Sequence, residues 1–138
     1  MVKIKRQIIS ATNYKNGTNN PAKYITLHMT GNTSPGADAQ AHANLQSNGN
    51  TRDASWHWQV DDKEAIQSFN HYMKLWHASD GQGSGNNESI GIEGCVSLTR
   101  LNALYISSSV ISCMYVFSWL IWSKLILKSF GRFFNVSN

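Results

Sequence analysis

The sequence predicts a single α/β (α+β) domain in which a mixed central sheet is flanked by helices. Short apolar runs rich in β-forming residues recur as "KYITLHM", "ASWHWQVDD" and "SIGIEGCVS". An Ala-rich stretch of helical character, "SPGADAQAHANLQSNGN", separates the first two runs. Strands interleaved with helical segments are typical of a sheet covered by helices. With 138 residues, the chain is long enough to bury one core.

The helical stretch has recognisable start and stop residues. Ser34 or Asp38 can serve as the N-cap, and Gly49 as the stop. The preceding run "KYITLHM" ends before a Gly-Asn turn, as a strand would. His42, inside the helix, is predicted to be a surface residue, and His71, in a loop, is given no role.

The second apolar run reads as a half-buried strand. Trp56, Trp58 and Val60 alternate with His57 and Gln59, which is the period of two expected when one face is buried. "KEAIQSF" follows an Asp-Asp-Lys turn and is predicted to be its hairpin partner. "DGQGSGNNES" then reads as a polar loop before the last strand, "SIGIEGCVS".

The chain divides at residue 96. All eight acidic residues lie at or before Glu93, whereas residues 97–138 carry four basic residues and no acidic one. The net charge of +4 therefore belongs to the tail. No Lys/Arg cluster is interleaved with aromatics, so nucleic-acid binding is not predicted. We predict a folded domain over residues 1–96 and a divergent, apolar, basic tail over 97–138.

Residues 101–123 include no charged residue over 23 positions. About 20 apolar residues span a bilayer, so a membrane segment is one interpretation, and contact of the tail with a membrane follows from it. A core helix is a second. The abrupt change of composition at Ser97 favours a third, translation out of frame or from an intervening sequence.

The start of the sequence bears on where the protein acts, and the spacing of the cysteines bears on metal binding. The basic start "MVKIKR" has no apolar segment after it, so no secretory signal is predicted. The protein is then expected in the cytoplasm unless another route releases it. Cys95 and Cys113 have neither CxxC nor zinc-knuckle spacing.

A few polar residues on the predicted strands are candidates for chemistry. His28 ends the first strand, where it is either a hydrogen-bonded structural histidine or a metal ligand. His57 lies between two tryptophans, and His77 precedes the Gly-rich loop. Glu93 interrupts an apolar strand, and burying an unpaired carboxylate is costly. It therefore either points to solvent or belongs to a site.

The segments "YITLHMTGN", "SWHWQVDDKEAIQ" and "LWHASDGQGSGNNESIGIEGCV" together resemble the type 2, zinc-dependent N-acetylmuramoyl-L-alanine amidases. That family includes phage endolysins and bacterial autolysins, and it shares its fold with the peptidoglycan recognition proteins. The resemblance runs from about Lys23 to Val96. It implies bacterial peptidoglycan as the partner, Zn²⁺ as the cofactor, and an amidase type 2 fold that is incomplete at its C-terminus.

The resemblance also implies roles for individual residues. His28 matches the first zinc ligand and Glu93 the general base. Trp56, Trp76 and His77 match residues on the substrate side. In such an enzyme, zinc lowers the pKa of a water molecule and polarises the amide carbonyl, while the carboxylate transfers the proton. The bond cleaved joins N-acetylmuramic acid to the L-alanine of the stem peptide.

The chain departs from the family pattern after residue 96. The family's second histidine and its Cys or Asp ligand come from the C-terminal third, but no histidine follows His77, and Cys113 lacks the expected surroundings. A catalytic zinc needs three protein ligands. Three hypotheses remain: a wall hydrolase acting after release, with a holin if phage-encoded; a non-catalytic peptidoglycan-binding module; or a truncated or frame-shifted product.

Overall fold

The computed structural model describes residues 2–9 and 15–95. The tail predicted over 97–138, with its uncharged segment and Cys113, lies outside these residues. The elements in chain order are β1 (Lys3–Arg6), β2 (Lys15–Gly17), β3 (Tyr24–Met29), α1 (Ala39–Ser47), β4 (Trp58–Val60), β5 (Glu64–Gln67), β6 (Lys74–Leu75), α2 (Ser84–Glu88) and β7 (Ser89–Gly94).

Five strands form one sheet in the order β1-β5-β4-β7-β3. Strands β4, β7 and β3 are parallel to one another, β5 is antiparallel to β4, and β1 is parallel to β5. Strands β2 and β6 form a separate antiparallel pair. The predicted mixed sheet is confirmed, as is the β4–β5 hairpin.

Helix α1 begins and ends where the sequence indicates. The side chain of Asp38 accepts a hydrogen bond of 2.9 Å from the backbone N–H of Ala41, so Asp38 rather than Ser34 is the N-cap. Past the end of the helix, Gly49 has φ +74°, a left-handed conformation that glycine adopts without steric cost.

Asp61 connects the hairpin to this helix. Its carboxylate accepts hydrogen bonds of 2.8 Å from the backbone N–H groups of Lys63 and Glu64, which close the turn. The other oxygen accepts from the backbone N–H of Ala39 at 2.9 Å, in the first turn of α1. One buried carboxylate therefore stabilises both the turn and the helix start.

Both faces of the sheet are covered. On one face, the buried core consists of Trp58, Val60, Ala65, Ile90 and Ile92. On the other face, α1 packs its alanines against the sheet, and the cluster there is Ala39, Ala43, Ile66 and Cys95. The core therefore lies on both sides of β5, β4 and β7, the inner strands.

Two expectations about burial and one about secondary structure were wrong. Residues 55–61 are all buried, because β4 has a neighbouring strand on each edge and packing on both faces. His42 is 4% exposed, and its Nδ1 lies 3.5 Å from the Sγ of Cys95. The segment predicted as a polar loop contains the short helix α2. Within residues 2–9 and 15–95, no helix is long and apolar enough to cross a membrane.

Candidate active site

His28 and Glu93 lie side by side at one edge of the sheet. Strands β3 and β7 are parallel, and their register pairs His28 with Glu93, one residue before each strand ends. Side chains of paired residues project from the same face of a sheet. The carboxyl ends of parallel strands are the usual position of ligand sites in open α/β sheets. The structure therefore brings together the two residues matched to a zinc ligand and a general base.

Glu93 is held in a poorly solvated position. Its Oε2 is buried and has no hydrogen-bond partner within the described part of the chain. Burial raises the pKa of this carboxyl from 4.5 to about 7, while the positive charge of Arg52 opposes the rise. A carboxyl whose pKa lies near neutrality exchanges its proton readily at physiological pH, as a general base must.

His77 contacts His28 through its imidazole ring. The Nδ1 of His77 is 3.1 Å from the Nε2 of His28, and the two rings meet edge to face at 73°. Burial lowers the pKa of His77 to about 4, with a further contribution from His28, and burial also lowers the pKa of His28. Both rings are therefore neutral at pH 7.

A small set of contacts places the His77 ring. It packs over Gly91 of β7, where an added Cβ would lie 2.8 Å from ring atoms. The fully buried Asn86 accepts hydrogen bonds of 2.8 Å from the backbone N–H groups of both His77 and Ala78. Asp80 in turn accepts from the backbone N–H of Asn86. Hydrogen bonds from the Gly-rich loop thus hold the backbone that carries the His77 imidazole.

His57 supports the same region from inside the domain. The backbone N–H of Gly91 donates to its Nδ1 at 3.0 Å, and its Nε2–H donates to the carbonyl oxygen of Met73 at 3.0 Å. These two bonds require the neutral ring with its proton on Nε2. Burial lowers the pKa of His57 to about 3. His57 is therefore a structural residue that joins β7 to the segment before β6.

The two tryptophans predicted on the substrate side lie in different surroundings. Trp76 is 36% exposed, so its indole is accessible to a ligand. Trp56 is 5% exposed, and its Nε1–H donates to the Oε1 of Gln59 at 3.1 Å. Gln46 of α1 also donates to that oxygen, at 3.2 Å. Most of the Trp56 side chain therefore belongs to the interior, and its contact with substrate stays a prediction.

The predicted zinc ligands are incomplete in this region. Among the described residues, no group of three His, Cys, Asp or Glu side chains is arranged to hold a metal ion. His28 is the one residue matched to a ligand, and its Nε2 already faces His77. The residues between 2 and 95 that the structure describes do not by themselves fit a tetrahedral zinc site.

Gly91, Asn86 and Asp80 were not identified from the sequence as parts of the site. One signal was available: Gly91 stands between two isoleucines in a strand, and an isolated glycine in a strand indicates a close approach by another group. Asn86 offered no comparable signal, because its role depends on the path of the loop.

The comparisons with known proteins place this fold in a class of amide hydrolases. The N-acetylmuramoyl-L-alanine amidase family (Amidase_2) matches residues 18–109. That range is two thirds of the chain, and it extends beyond the predicted boundary at residue 96, which stays a prediction. The chain belongs to this family.

Named relatives come from Bacillus subtilis (strain 168). The amidase XlyA is 54% identical over 72 residues, which cover 52% of this chain and 24% of XlyA. The amidase CwlH is 45% identical over 97 residues, covering 69% of this chain and 38% of CwlH. The matched part of the chain therefore spans well under half the length of these relatives.

Solved structures show the same fold. A mutant endolysin from Bacillus subtilis superposes with a TM-score of 0.67 at 46% identity, covering 72% of this chain and 64% of that one. The catalytic domain of XlyA gives a TM-score of 0.66 at 42% identity, covering 70% of this chain and 63% of that domain. The predicted fold class is confirmed.

Proposed function

We propose that this chain carries the core of a peptidoglycan amidase site and that the complete enzyme cleaves the amide between N-acetylmuramic acid and the L-alanine of the stem peptide. Membership of the amidase family supports the reaction class. The single observation that carries the assignment of the site is the parallel register that places Glu93 beside His28.

Glu93 performs the proton transfers in this proposal. The oxygen of water forms a bond to the amide carbonyl carbon, and Glu93 takes the proton that this water loses. The carbon–nitrogen bond then breaks, and Glu93 passes the proton to the departing amine of L-alanine. Its buried, unpaired Oε2 and its pKa of about 7 suit both steps.

The family resemblance implies a zinc ion that activates the water, with His28 as one ligand. Three protein ligands are needed at such a centre, and the described residues offer one. Activity therefore requires two ligands from outside residues 2–9 and 15–95. The proton transfers by Glu93 are assigned independently of the metal.

Trp76 provides an accessible aromatic surface for the substrate. Its exposed indole lies next along the chain to His77, which contacts His28. Aromatic faces bury apolar area on a ligand while leaving polar groups free to bond elsewhere. Trp76 is assigned to bind the glycan or stem peptide.

The test combines zinc content with hydrolysis of purified bacterial cell walls. Zinc at one equivalent and release of free amino groups, abolished in Glu93→Gln, would support the proposal. Glu88→Gln is the matched control, because Glu88 is a surface carboxylate paired with Lys23 at 2.9 Å. Metal-free protein that releases no amino groups would reject the enzyme.

A second candidate is a non-catalytic peptidoglycan-binding module. The observation in its favour is that the described residues contain no three-ligand metal group. A pull-down with insoluble walls tests it: retention that is lost in Trp76→Ala, with no hydrolysis, would establish this function. Protein that stays in the supernatant would exclude it.

The proposed site of action is the cell wall, reached after release of the protein from the cytoplasm. If the protein is phage-encoded, a holin supplies that release. Lysis of expressing cells that requires co-expression of a holin would support this route, and lysis without one would contradict it.

A further inference from the structure

We infer that His77 is a positioning residue for His28: its Nδ1 accepts a hydrogen bond from the Nε2–H of His28, which holds that ring in the Nε2–H tautomer and leaves its Nδ1 unprotonated. The inference rests on the proposed function, because it takes His28 to be a residue of the amidase site. It assigns His77 a role different from the contact with substrate that the family resemblance implies.

The contact itself is direct. The Nδ1 of His77 and the Nε2 of His28 are 3.1 Å apart, within hydrogen-bond distance. Two neutral imidazoles joined through one nitrogen each share a single proton in that bond. If His28 donates through Nε2, its Nδ1 is unprotonated; if His77 donates through Nδ1, the proton of His28 lies on Nδ1 instead. A histidine that binds a metal through Nδ1 needs the first arrangement, so the donor is assigned to Nε2 of His28 and the acceptor to Nδ1 of His77. A second bond of this kind orients metal-binding histidines in many proteins.

The surroundings of His77 indicate that the fold is built to place this ring. Gly91 provides the space, since any Cβ there would lie within 2.9 Å of three ring atoms. Asn86, which is fully buried, holds the backbone of the ring's own residue and of the next one. Asp80 anchors Asn86 and Gly85 by their backbone N–H groups. Gly91, Asn86 and Asp80 thus all contribute to the placement of His77.

The Nε2 of His77 supports the same reading. It is buried and has no hydrogen-bond partner in the described part of the chain. A buried unpaired nitrogen carries a cost in free energy, which the fold tolerates here. The ring is therefore held by packing and by its contact with His28. A groove-lining residue would instead keep a polar atom accessible to the ligand.

The experiment reads the tautomer of His28 directly. The full chain, labelled with ¹⁵N, is examined at pH 8 with a chelator present, using long-range ¹H–¹⁵N correlations of the imidazole nitrogens. The expected result for the unaltered protein is His28 in the Nε2–H tautomer alone. In His77→Ala, the two nitrogen shifts of His28 should move toward the average of exchanging tautomers.

Two further variants separate positioning from general support of the fold. His77→Asn places an amide near the position of Nδ1 and should restore the pure tautomer. His77→Gln places its amide near the position of Nε2 and should not. His71→Asn is the control, because His71 belongs to the same group of histidines but contacts Trp58 instead of His28. If His77→Ala does not fold, the Asn and Gln pair decides the outcome.

Averaged shifts for His28 in the unaltered protein, or a pure Nδ1–H tautomer, would overturn the inference. Identical His28 shifts in the unaltered protein and in the Ala or Gln variants would also overturn it. No step of this test uses cell walls or activity. An inactive protein would therefore leave the inference intact, and a failed inference would leave the proposed amidase untouched.

Discussion

The ring of His77 lies directly over Gly91, at a distance that leaves no room for a side chain on the strand. An added Cβ would lie 2.8 Å from two ring carbons and 2.9 Å from Nδ1, the atom that contacts His28. The contact between His77 and His28 therefore requires that position 91 carry no side chain.

Gly91→Ala should destabilise the protein by about 1–3 kcal/mol, the usual cost of overpacking a buried position, and should break the contact between His77 and His28. Urea unfolding measures the first effect and the imidazole spectrum the second. In a His77→Ala background the same change should cost much less, because the ring is gone. Equal costs in both backgrounds would show that His77 is not what fills the space.

Asp61→Ala should destabilise the protein by about 1–3 kcal/mol, because the backbone N–H groups of Ala39, Lys63 and Glu64 lose their acceptor and that of Ala39 is buried. Thermal or urea unfolding measures the loss. Asp53→Ala is the matched control: Asp53 is exposed, and its removal should change the stability by less than about 0.5 kcal/mol. Similar values for the two variants would contradict this role of Asp61.

His57 should make the stability depend on pH in the acid range. Its pKa is about 3 in the folded protein and 6.5 ordinarily, so the unfolded chain binds more protons between these values. Its contribution is complete above pH 6.5 and is lost as the pH falls below it, at about 1.4 kcal/mol per pH unit. His57→Gln should be less stable at pH 8 but should show a shallower slope between pH 6 and pH 4.5. An unchanged slope would refute the assignment.

Glu93 should make the folding stability change with pH in the opposite direction to His57. Its folded pKa of about 7 exceeds the ordinary 4.5, so the folded protein binds more protons in between, and the stability falls as the pH rises through that window. In the presence of a chelator, Glu93→Gln should therefore be more stable than the unaltered protein at pH 8, by about 1–2 kcal/mol after allowance for the partial exposure of the carboxyl, and nearly equal near pH 4. Urea unfolding at the two pH values provides the comparison.

Glu88→Gln serves as the control for this effect. Glu88 forms a surface ion pair with Lys23, and solvent-exposed pairs of this kind contribute little to stability. Its replacement should give no stabilisation at pH 8. If Glu93→Gln behaves in the same way, the carboxyl is solvated and is not held at a cost to the fold.

Much of the fold was predictable because its signals are local. The strand that carries His28, the strand that carries Glu93 and the β4–β5 hairpin follow from apolar runs bounded by turn residues. The cap by Asp38 and the left-handed Gly49 follow from the conformational preferences of single residues. The burial of His42 and of both faces of β4 was not predictable, since burial depends on which elements pack against a segment.

By itself, the sequence determined the fold class, the strands that bear His28 and Glu93, and the resemblance that assigns them to an amidase. Only the tertiary structure decided that these two residues are paired in register and that His77 contacts His28. The same holds for Gly91, Asn86 and Asp80, which keep His77 in place. The physical reason is the range of the interactions. Propensities and caps act over a few residues, whereas His28 and His77 are 49 residues apart and meet only when the sheet and its loop have formed.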